Sequence, residues 1–296
     1  MMDSFIISCC STSDMPLSFF EETGIKFLPF HFIIDGEEYP DDCGTTMSYD
    51  EFYKRISNGS LPTTSQVNIG EYIRFFEPIL QSGKDILHIC FSSGLSGSYN
   101  SACNAKEELA EKFPERTIKI VDSLCASSGY GLLMDKVNEL WKAGATLDEL
   151  YLFVEENKCN VRHWVYASDL FHLKRGGRIS SASATFGSLL NICPVIDVNY
   201  KGELIVREKA RGKKKAMQSL LNHMKEQCKD QLEYSEKCFL SNANCPEDAK
   251  MLASMIEETF PKMNGKVKIC NIGTVIGAHT GPGTIALFFW GDKRVN

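Results

Sequence analysis

The sequence predicts an α/β protein of two domains, the first an α/β/α domain with a mostly parallel sheet and the second an α/β domain with a mixed sheet. The chain has 296 residues, enough for two moderate domains. In the first half, short apolar runs alternate with amphipathic helical patterns, as in crossover units around a parallel sheet. In the second half, two apolar runs are separated only by a turn at residues 199–202, which is too short for a parallel crossover.

Apolar runs bounded by turn residues predict the strands, and helical patterns fill most of the gaps between them. The predicted strands are 5–9, 25–34, 86–91, 117–121, 163–167, 192–198, 203–207, 237–241, 266–271 and 284–290. Asp35-Gly36 marks a hairpin turn. We place the first domain at residues 1–158 and the second at 159–296. The strand that follows residue 279 or so is compatible with either domain.

Composition excludes several classes of function. A formal net charge of −6 and a pI near 5.6 argue against nucleic acid or an anionic membrane as the main partner. The N-terminus has no basic segment ahead of a long apolar run, so we expect a cytoplasmic protein without stable membrane insertion. The 12 cysteines are scattered without a C-x-x-C pair, which favours reduced, buried thiols. Cys9 and Cys10 are adjacent, but no second pair with histidine completes a metal site, and we predict no metal.

The stretch SSGLSGSYNSA at residues 92–102 joins a predicted strand to a helix that should begin near Ser98. Free amide groups at a helix start and several hydroxyls suit a carboxylate or phosphate. The plainer interpretation is that serines cap the helix. A nucleotide P-loop would need a lysine after Gly97, and a nucleophile elbow would need glycine two residues after Ser96, so both are disfavoured.

Three further segments carry candidate ligand-binding groups. LPTTSQV at residues 61–67 precedes a predicted helix at about 69–80 and offers Thr63 and Thr64 in a loop, although an N-cap explains such residues equally well. Arg178 follows the glycine pair that ends a short helix, and arginine is well suited to anions, with an ion pair as its plainer role. His279 lies among five glycines and a proline, in a predicted loop that could carry its imidazole into a cleft.

Together these segments resemble the DegV family of bacterial fatty-acid-binding proteins. The resemblance covers nearly the whole chain and is carried by STSDMP at 11–16, PTTSQ at 62–66, SSGLSGSYNSA at 92–102, VDS at 121–123, LKRGGRIS at 173–180, RGKKKA at 211–216 and IGAHTGPG at 276–283. It implies a two-domain carrier, without catalytic residues or a cofactor, that holds a long-chain fatty acid in an interdomain tunnel. It also implies a separate ATP-dependent fatty acid kinase that phosphorylates the bound acid for phospholipid synthesis, and transient membrane contact for lipid exchange.

The resemblance also implies site residues. Thr64 and Ser96 correspond most closely to the hydroxyls that contact the carboxylate, with Thr63 and Ser93 as alternatives that spacing does not separate. The resemblance further implies that the Gly97 amide assists these hydroxyls and that Arg178 and His279 form a network around the head group. It also implies that Arg211 takes part in docking to the kinase. Candidates for the tunnel wall are Phe27, Phe30, Phe32, Phe186, Leu189, Leu190, Ile192 and Ile196, any of which could equally be core.

Two departures from the family pattern remove charge, because Cys10 and Cys193 stand where the family commonly has aspartate and lysine. Two other functions remain open. An acyl hydrolase or transferase would use Ser96 and His279 as nucleophile and base, oriented by Asp122 or Asp169. A small-ligand domain like that of dihydroxyacetone kinase would use His279 to bind a keto-sugar.

Overall fold

The computed structural model describes residues 4–168, 170–179 and 192–295, which form three β-sheets and the helices packed on them. The strands are β1 Phe5–Cys10, β2 Lys26–Leu28, β3 His31–Ile34, β4 Glu37–Pro40, β5 Thr63–Ser65, β6 Asp85–Cys90, β7 Ile118–Asp122, β8 Val161–Tyr166, β9 Ile192–Val198, β10 Leu204–Arg211, β11 Cys238–Asn242, β12 Lys268–Asn271 and β13 Ile285–Trp290. The helices are α1 Leu17–Thr23, α2 Tyr49–Ser57, α3 Ile69–Gln81, α4 Ser98–Lys112, α5 Ser127–Lys142, α6 Leu147–Asn157, α7 Phe171–Arg175, α8 Lys213–Gln227, α9 Pro246–Thr259 and α10 Thr274–Thr280.

The first sheet is parallel throughout, in the order β2-β1-β6-β7. Its two middle strands are almost entirely buried, which explains why they read as continuous apolar runs rather than alternating ones. The connections after β1, β6 and β7 all leave from the same edge of this sheet, because parallel strands end on one side. The helix after β6 begins at Ser98, as predicted.

The second sheet is mixed, in the order β10-β9-β8-β13-β11-β12. Only β11 and β12 are parallel, and the tight turn at residues 199–202 joins the antiparallel pair β9 and β10 as expected. The last strand, β13, lies in the middle of this sheet between β8 and β11. The predicted combination of a parallel sheet and a mixed sheet is confirmed.

A third, three-stranded antiparallel sheet, β4-β3-β5, was not predicted. The Asp35-Gly36 turn does form a hairpin, between β3 and β4. However, the single strand expected at 25–34 is wrong, because Pro29 lacks a backbone donor and the chain divides there into β2 in the first sheet and β3 in the third.

Two segments predicted as loops are regular structure. Thr63–Ser65 form strand β5 against β3, since β-branched threonines fit a strand when a partner is available. The segment around His279 forms helix α10 rather than a glycine-rich loop. In that helix Gly277 packs against the ring and hydroxyl of Tyr53, so a glycine there marks a close helix contact, and Gly281, with φ of 72°, ends the helix.

The described helices include none that is long and apolar enough to cross a membrane. The 12 cysteines all lie within the described residues and are unpaired, in agreement with the prediction of reduced thiols. One large apolar core joins the first sheet to most of the second.

Arg294, near the C-terminus, connects several loops of the fold. Its side chain is 4% exposed, and its guanidinium donates to the carbonyls of Leu124 (2.7 Å), Lys158 (3.0 Å) and Asn199 (3.2 Å). These carbonyls belong to the loop after β7, the turn before β8 and the turn after β9. One buried cation therefore holds together loops that are far apart in the sequence.

We expect Arg294→Met to lower the free energy of unfolding by about 2–4 kcal/mol, because it leaves buried carbonyls without their charged donor. Urea denaturation monitored by circular dichroism measures the change. The matched control is Lys293→Met, which alters an exposed neighbour of the same charge and should change stability little. Equal stability of the two variants would contradict the role assigned to Arg294.

Candidate functional site

A cavity that is partly open to solvent lies between the carboxyl edge of the first sheet and one face of the second. The first sheet contributes its loops, through Phe91, Leu95 and Ser96 after β6 and through Ala126 and Ser127 after β7. The site is therefore at the place where ligands are expected in open α/β sheets.

The apolar wall comes from one face of the second sheet. His163 and Val165 on β8 lie opposite Phe288 and Ala286 on β13, and Val165 also lies opposite Ile196 on β9. Alternate residues of a strand point to the same face, so these side chains form one continuous surface. The imidazole of His163 is buried in this wall, where it bonds the Val161 carbonyl and accepts from the Ala126 amide, and burial keeps its pKa well below the ordinary value.

Helix α10 and Ile272, two residues before it, supply much of the remaining wall. Five cavity-lining side chains come from this short segment, namely Ile272, Val275, Ile276, His279 and Thr280. Two contacts of Tyr53 on α2 fix the segment: its hydroxyl donates to the Ile272 carbonyl at 2.9 Å, and its ring and hydroxyl pack against Gly277. The position of α10 thus determines the shape of the cavity.

The polar end of the cavity is built around a contact between Thr64 and His279. Thr64 Oγ1 lies 2.8 Å from His279 Nε2, and both side chains line the cavity. Thr64 is fixed by the pairing of β5 with β3, and His279 lies in the last turn of α10. Gly176 permits this arrangement, because a Cβ atom at that position would collide with His279 Nδ1.

His279 is a neutral imidazole over most of the pH range. Burial, assisted by the charges of Arg178 and Arg175, lowers its pKa to about 4. Its Nδ1 is buried and has no hydrogen-bond partner among the described residues. Near neutral pH, His279 can therefore act as an N–H donor or as an acceptor, but not as a cation.

The cationic groups at this end of the cavity are two arginines of the segment around α7. Arg178 lines the cavity, donates to the carbonyls of Gly176 (2.6 Å) and Leu95 (3.2 Å), and has its pKa lowered by burial. Arg175 donates to the carbonyls of Pro62 (2.6 Å) and Ala278 (3.3 Å), so it connects the segment before β5 to α10. Arg175 was not among the site residues predicted from the sequence, although it lies in the segment LKRGGRIS together with Arg178.

The serines of residues 92–102 have different partners. Ser96 lines the cavity and accepts from the Ser98 amide at 3.2 Å. Ser92 is buried and donates to the Gly202 carbonyl, and the Ser98 hydroxyl is 2.6 Å from that of Tyr72. Ser93 is exposed, and its amide donates to Asp122 at 3.1 Å. Only Ser96 of these serines is placed to meet a ligand in the cavity.

Most of the remaining predicted residues lie outside the cavity lining. Thr63 and Gly97 are exposed, with Gly97 against the side chain of Gln66. Arg211 is an exposed residue at the end of β10. Of the predicted wall residues, Phe30 and Ile196 line the cavity, whereas Phe27, Phe32 and Ile192 do not. Asp169, Phe186, Leu189 and Leu190 lie outside the described residues.

The geometry does not form the Ser–His pair that an acyl hydrolase would need. Among the described residues, His279 Nε2 bonds Thr64, and Ser96 bonds the start of α4. Asp122 accepts from the amides of Ser93 and Leu124, so it holds a loop rather than an imidazole. No group of three or more His, Cys, Asp or Glu side chains in the described part of the chain is arranged to hold a metal ion.

Comparisons with known proteins find relatives that match nearly the whole chain. A solved DegV-family protein from Thermus thermophilus, described as fatty-acid-binding, superposes with a TM-score of 0.86 at 26% identity, covering 98% of this chain and 100% of the other. The Fatty Acid Kinase (Fak) B3 protein of Streptococcus pneumoniae, solved with linoleic acid, has a TM-score of 0.83 over 98% of this chain and 100% of its own. At 23% identity this second likeness shows the fold alone.

Sequence comparison extends the agreement beyond the fold. The DegV domain-containing protein of Clostridium perfringens is 42% identical over 293 residues, which are 99% of this chain and 99% of that protein. The model of the DegV family, described as a family of uncharacterised proteins, matches residues 6–292. The chain therefore belongs to the DegV family.

Proposed function

We propose that this protein binds a long-chain fatty acid in the cavity, with the carboxylate at Thr64, Ser96 and His279. The observation that carries the proposal is the Thr64–His279 contact at the polar end of a cavity whose other walls are mostly apolar. An apolar cavity with a few convergent polar groups at one end matches an amphipathic ligand with one polar end. The fatty acid bound by the Thermus thermophilus relative supports the same class of ligand.

The head group requires donors, because a buried carboxylate is costly unless hydrogen bonds replace its hydration. Thr64 can donate its hydroxyl proton to the ligand only if His279 donates Nε2–H to Thr64 Oγ1. This tautomer leaves Nδ1 unprotonated, and Nδ1 is the nitrogen that has no partner among the described residues. Ser96 supplies a second hydroxyl, and the nearby Arg178 supplies positive charge.

The acyl chain requires only apolar surroundings. Each buried methylene contributes about 0.8 kcal/mol, so a chain of about 16 carbons has ample driving force for binding. The surface formed by Val165, Ile196, Ala286 and Phe288 provides the apolar wall, and Phe30 and Phe91 add aromatic faces. No charged side chain other than Arg178 is among the cavity-lining residues that the structure describes.

We further propose that the protein presents the bound acid to a separate ATP-dependent fatty acid kinase and does not itself catalyse acyl transfer. This step rests on the motifs shared with the family, and the name of the Streptococcus pneumoniae neighbour is consistent with it. Exposed Arg211 and the lysines that begin α8 form a basic surface outside the cavity. Such a surface can attract a partner without affecting the ligand.

The first expected outcome concerns the ligand and its hydroxyl contacts. Mass spectrometry of lipid extracted from the native protein should find a stoichiometric fatty acid. After lipid removal, Thr64→Val and Ser96→Ala should each weaken oleate binding by about 1–3 kcal/mol, measured by calorimetry, because each removes a donor to a charged group. Thr63→Val and Ser93→Ala are matched controls that alter exposed neighbours. An empty protein that also refuses oleate and palmitate would reject the function.

The second expected outcome concerns pH. Because the pKa of His279 is lowered in the folded protein, the unfolded chain binds a proton that the folded chain does not, and stability is lost as the pH falls from about 6.5 towards 4. In the lipid-free protein, this loss should exceed that of His279→Gln by about 1–3 kcal/mol. Bound oleate should reduce the difference, because its carboxylate stabilises the imidazolium. Thermal unfolding between pH 4 and 7 tests this, and identical pH dependence of the two proteins would contradict it.

The third expected outcome concerns the kinase. Arg211→Glu should leave oleate affinity within about twofold but slow acyl phosphate formation about tenfold, because it reverses a charge on the proposed docking surface only. The assay uses an ATP-dependent fatty acid kinase that accepts the wild-type protein. Lys250→Glu, an equal charge change on exposed α9, is the control. If both variants react at the wild-type rate, docking does not involve Arg211.

A further inference from the structure

Two buried carboxyl groups that do not line the cavity meet at the start of α10. Asp14 and Asp41 are 4% and 3% exposed. Asp41 Oδ1 accepts from the Thr274 hydroxyl at 2.7 Å and from the Thr274 amide at 3.2 Å. A Cβ atom on Gly273 would lie 2.6 Å from Asp14 Oδ1 and 3.3 Å from Asp41 Oδ1, so both carboxyls face the same glycine.

These carboxyls are only partly compensated. Asp14 Oδ2 accepts from the Ser127 hydroxyl, and the Gly273 amide and the Ser11 hydroxyl lie near enough to Asp14 and Asp41 to lower their pKa values. Asp14 Oδ1 and Asp41 Oδ2 are nevertheless buried without a well-formed hydrogen bond among the described residues. The other titratable groups whose charges interact with the pair are Asp42, Cys43, Tyr49, Tyr53 and Cys270, none of which supplies a positive charge. Two buried negative charges this close together, with no cation, would be strongly unfavourable.

A proton relieves this conflict. Burial and then the charge of Asp41 raise the pKa of Asp14 well above its ordinary value, and burial also raises the pKa of Asp41. The two donors from Thr274 favour the ionised form of Asp41. Two close carboxyls that share one proton titrate as a pair, as in other proteins with such sites.

Asp41 contacts both parts of the cavity wall without lining the cavity. Through Thr274 it fixes the start of α10, which carries His279 and three further lining residues. Through its own amide it donates to the carbonyl of Phe30 at 2.8 Å, and Phe30 also lines the cavity. The arrangement of these two walls therefore depends on a residue that the ligand does not touch.

We propose that Asp41 is a positioning residue for the fatty-acid cavity, and that Asp14 and Asp41 share one proton that lets both carboxyls remain buried against α10. The first half of this proposal rests on the proposed function, because positioning matters only if the cavity binds a ligand. The second half concerns the folded protein itself and can be tested without a ligand.

The positioning role is tested by oleate binding to the lipid-free protein. Asp41→Ala should lower the affinity at least tenfold, whereas Asp41→Asn should stay within about threefold of wild type, because the amide oxygen still accepts from Thr274. Asp148→Ala, an exposed carboxylate on α6, is the control. Equal affinity of Asp41→Ala and wild type overturns the role. A wild-type protein that does not bind oleate instead rejects the proposed function and leaves the proton to the next test.

The shared proton is tested by the pH dependence of thermal unfolding. Because the carboxyl pKa is raised in the folded state, the free energy of unfolding decreases as the pH rises from about 4 towards that raised pKa. Asp14→Asn removes this loss, so its unfolding temperature relative to wild type should rise by about 2–4 °C between pH 5 and pH 8. The same difference at both pH values overturns the proposal.

Two measurements on the wild-type protein keep the test decisive if Asp14→Asn does not fold. Infrared spectroscopy at pH 7 should detect the C=O stretch of a protonated carboxyl group, and Asp41→Asn should shift or remove it. Elemental analysis of the purified protein should find no stoichiometric metal ion. Absence of the infrared band, or a bound metal ion in its place, overturns the shared proton.

Discussion

The contact between Thr64 and His279 is the constraint on which the site depends, because it joins side chains 215 residues apart at the only strongly polar part of the described cavity lining. Three separate packing conditions must hold for it to form. Strand β5 must pair with β3, α10 must pack on Tyr53, and position 176 must lack a Cβ atom. A change at any of these places would move one partner of the contact, although none of them is itself a ligand-binding group.

The electrostatics of this end of the cavity follow from the same arrangement. Arg175 and Arg178 hold the surrounding loops through carbonyl oxygens, and their charges help to keep His279 neutral. A neutral imidazole can fix the hydroxyl of Thr64 in one direction, whereas an imidazolium would attract the anion directly and compete with that hydroxyl. The fold thus provides positioned hydrogen-bonding groups at this end of the cavity, with the positive charge of Arg178 beside them.

Much of the fold could be predicted from the sequence, and the failures have a common cause. Strands β1, β6 and β9 are continuous apolar runs, and the α4 start follows from its local composition. Strand β5 and helix α10 were missed because neither has a decisive local pattern: threonines form a strand only beside β3, and a glycine-rich helix is stable only where Gly277 meets Tyr53. The domain division at residue 158 stays a prediction.

The site was predictable in part for a related reason. Motif resemblance directed attention to Thr64, Ser96, Arg178 and His279, which line one cavity, but Thr63 and Ser93, adjacent alternatives on the same segments, point elsewhere. Of the apolar wall only Phe30 and Ile196 were predicted, because β8, β9 and β13 are buried on both faces and therefore show no alternation in sequence. Which face lines a cavity is decided by the sheet register, which places Val165 beside Ala286 and Ile196. Asp41 could not be identified from the sequence either, because its proposed role comes from its contact with Thr274, which is 233 residues away along the chain.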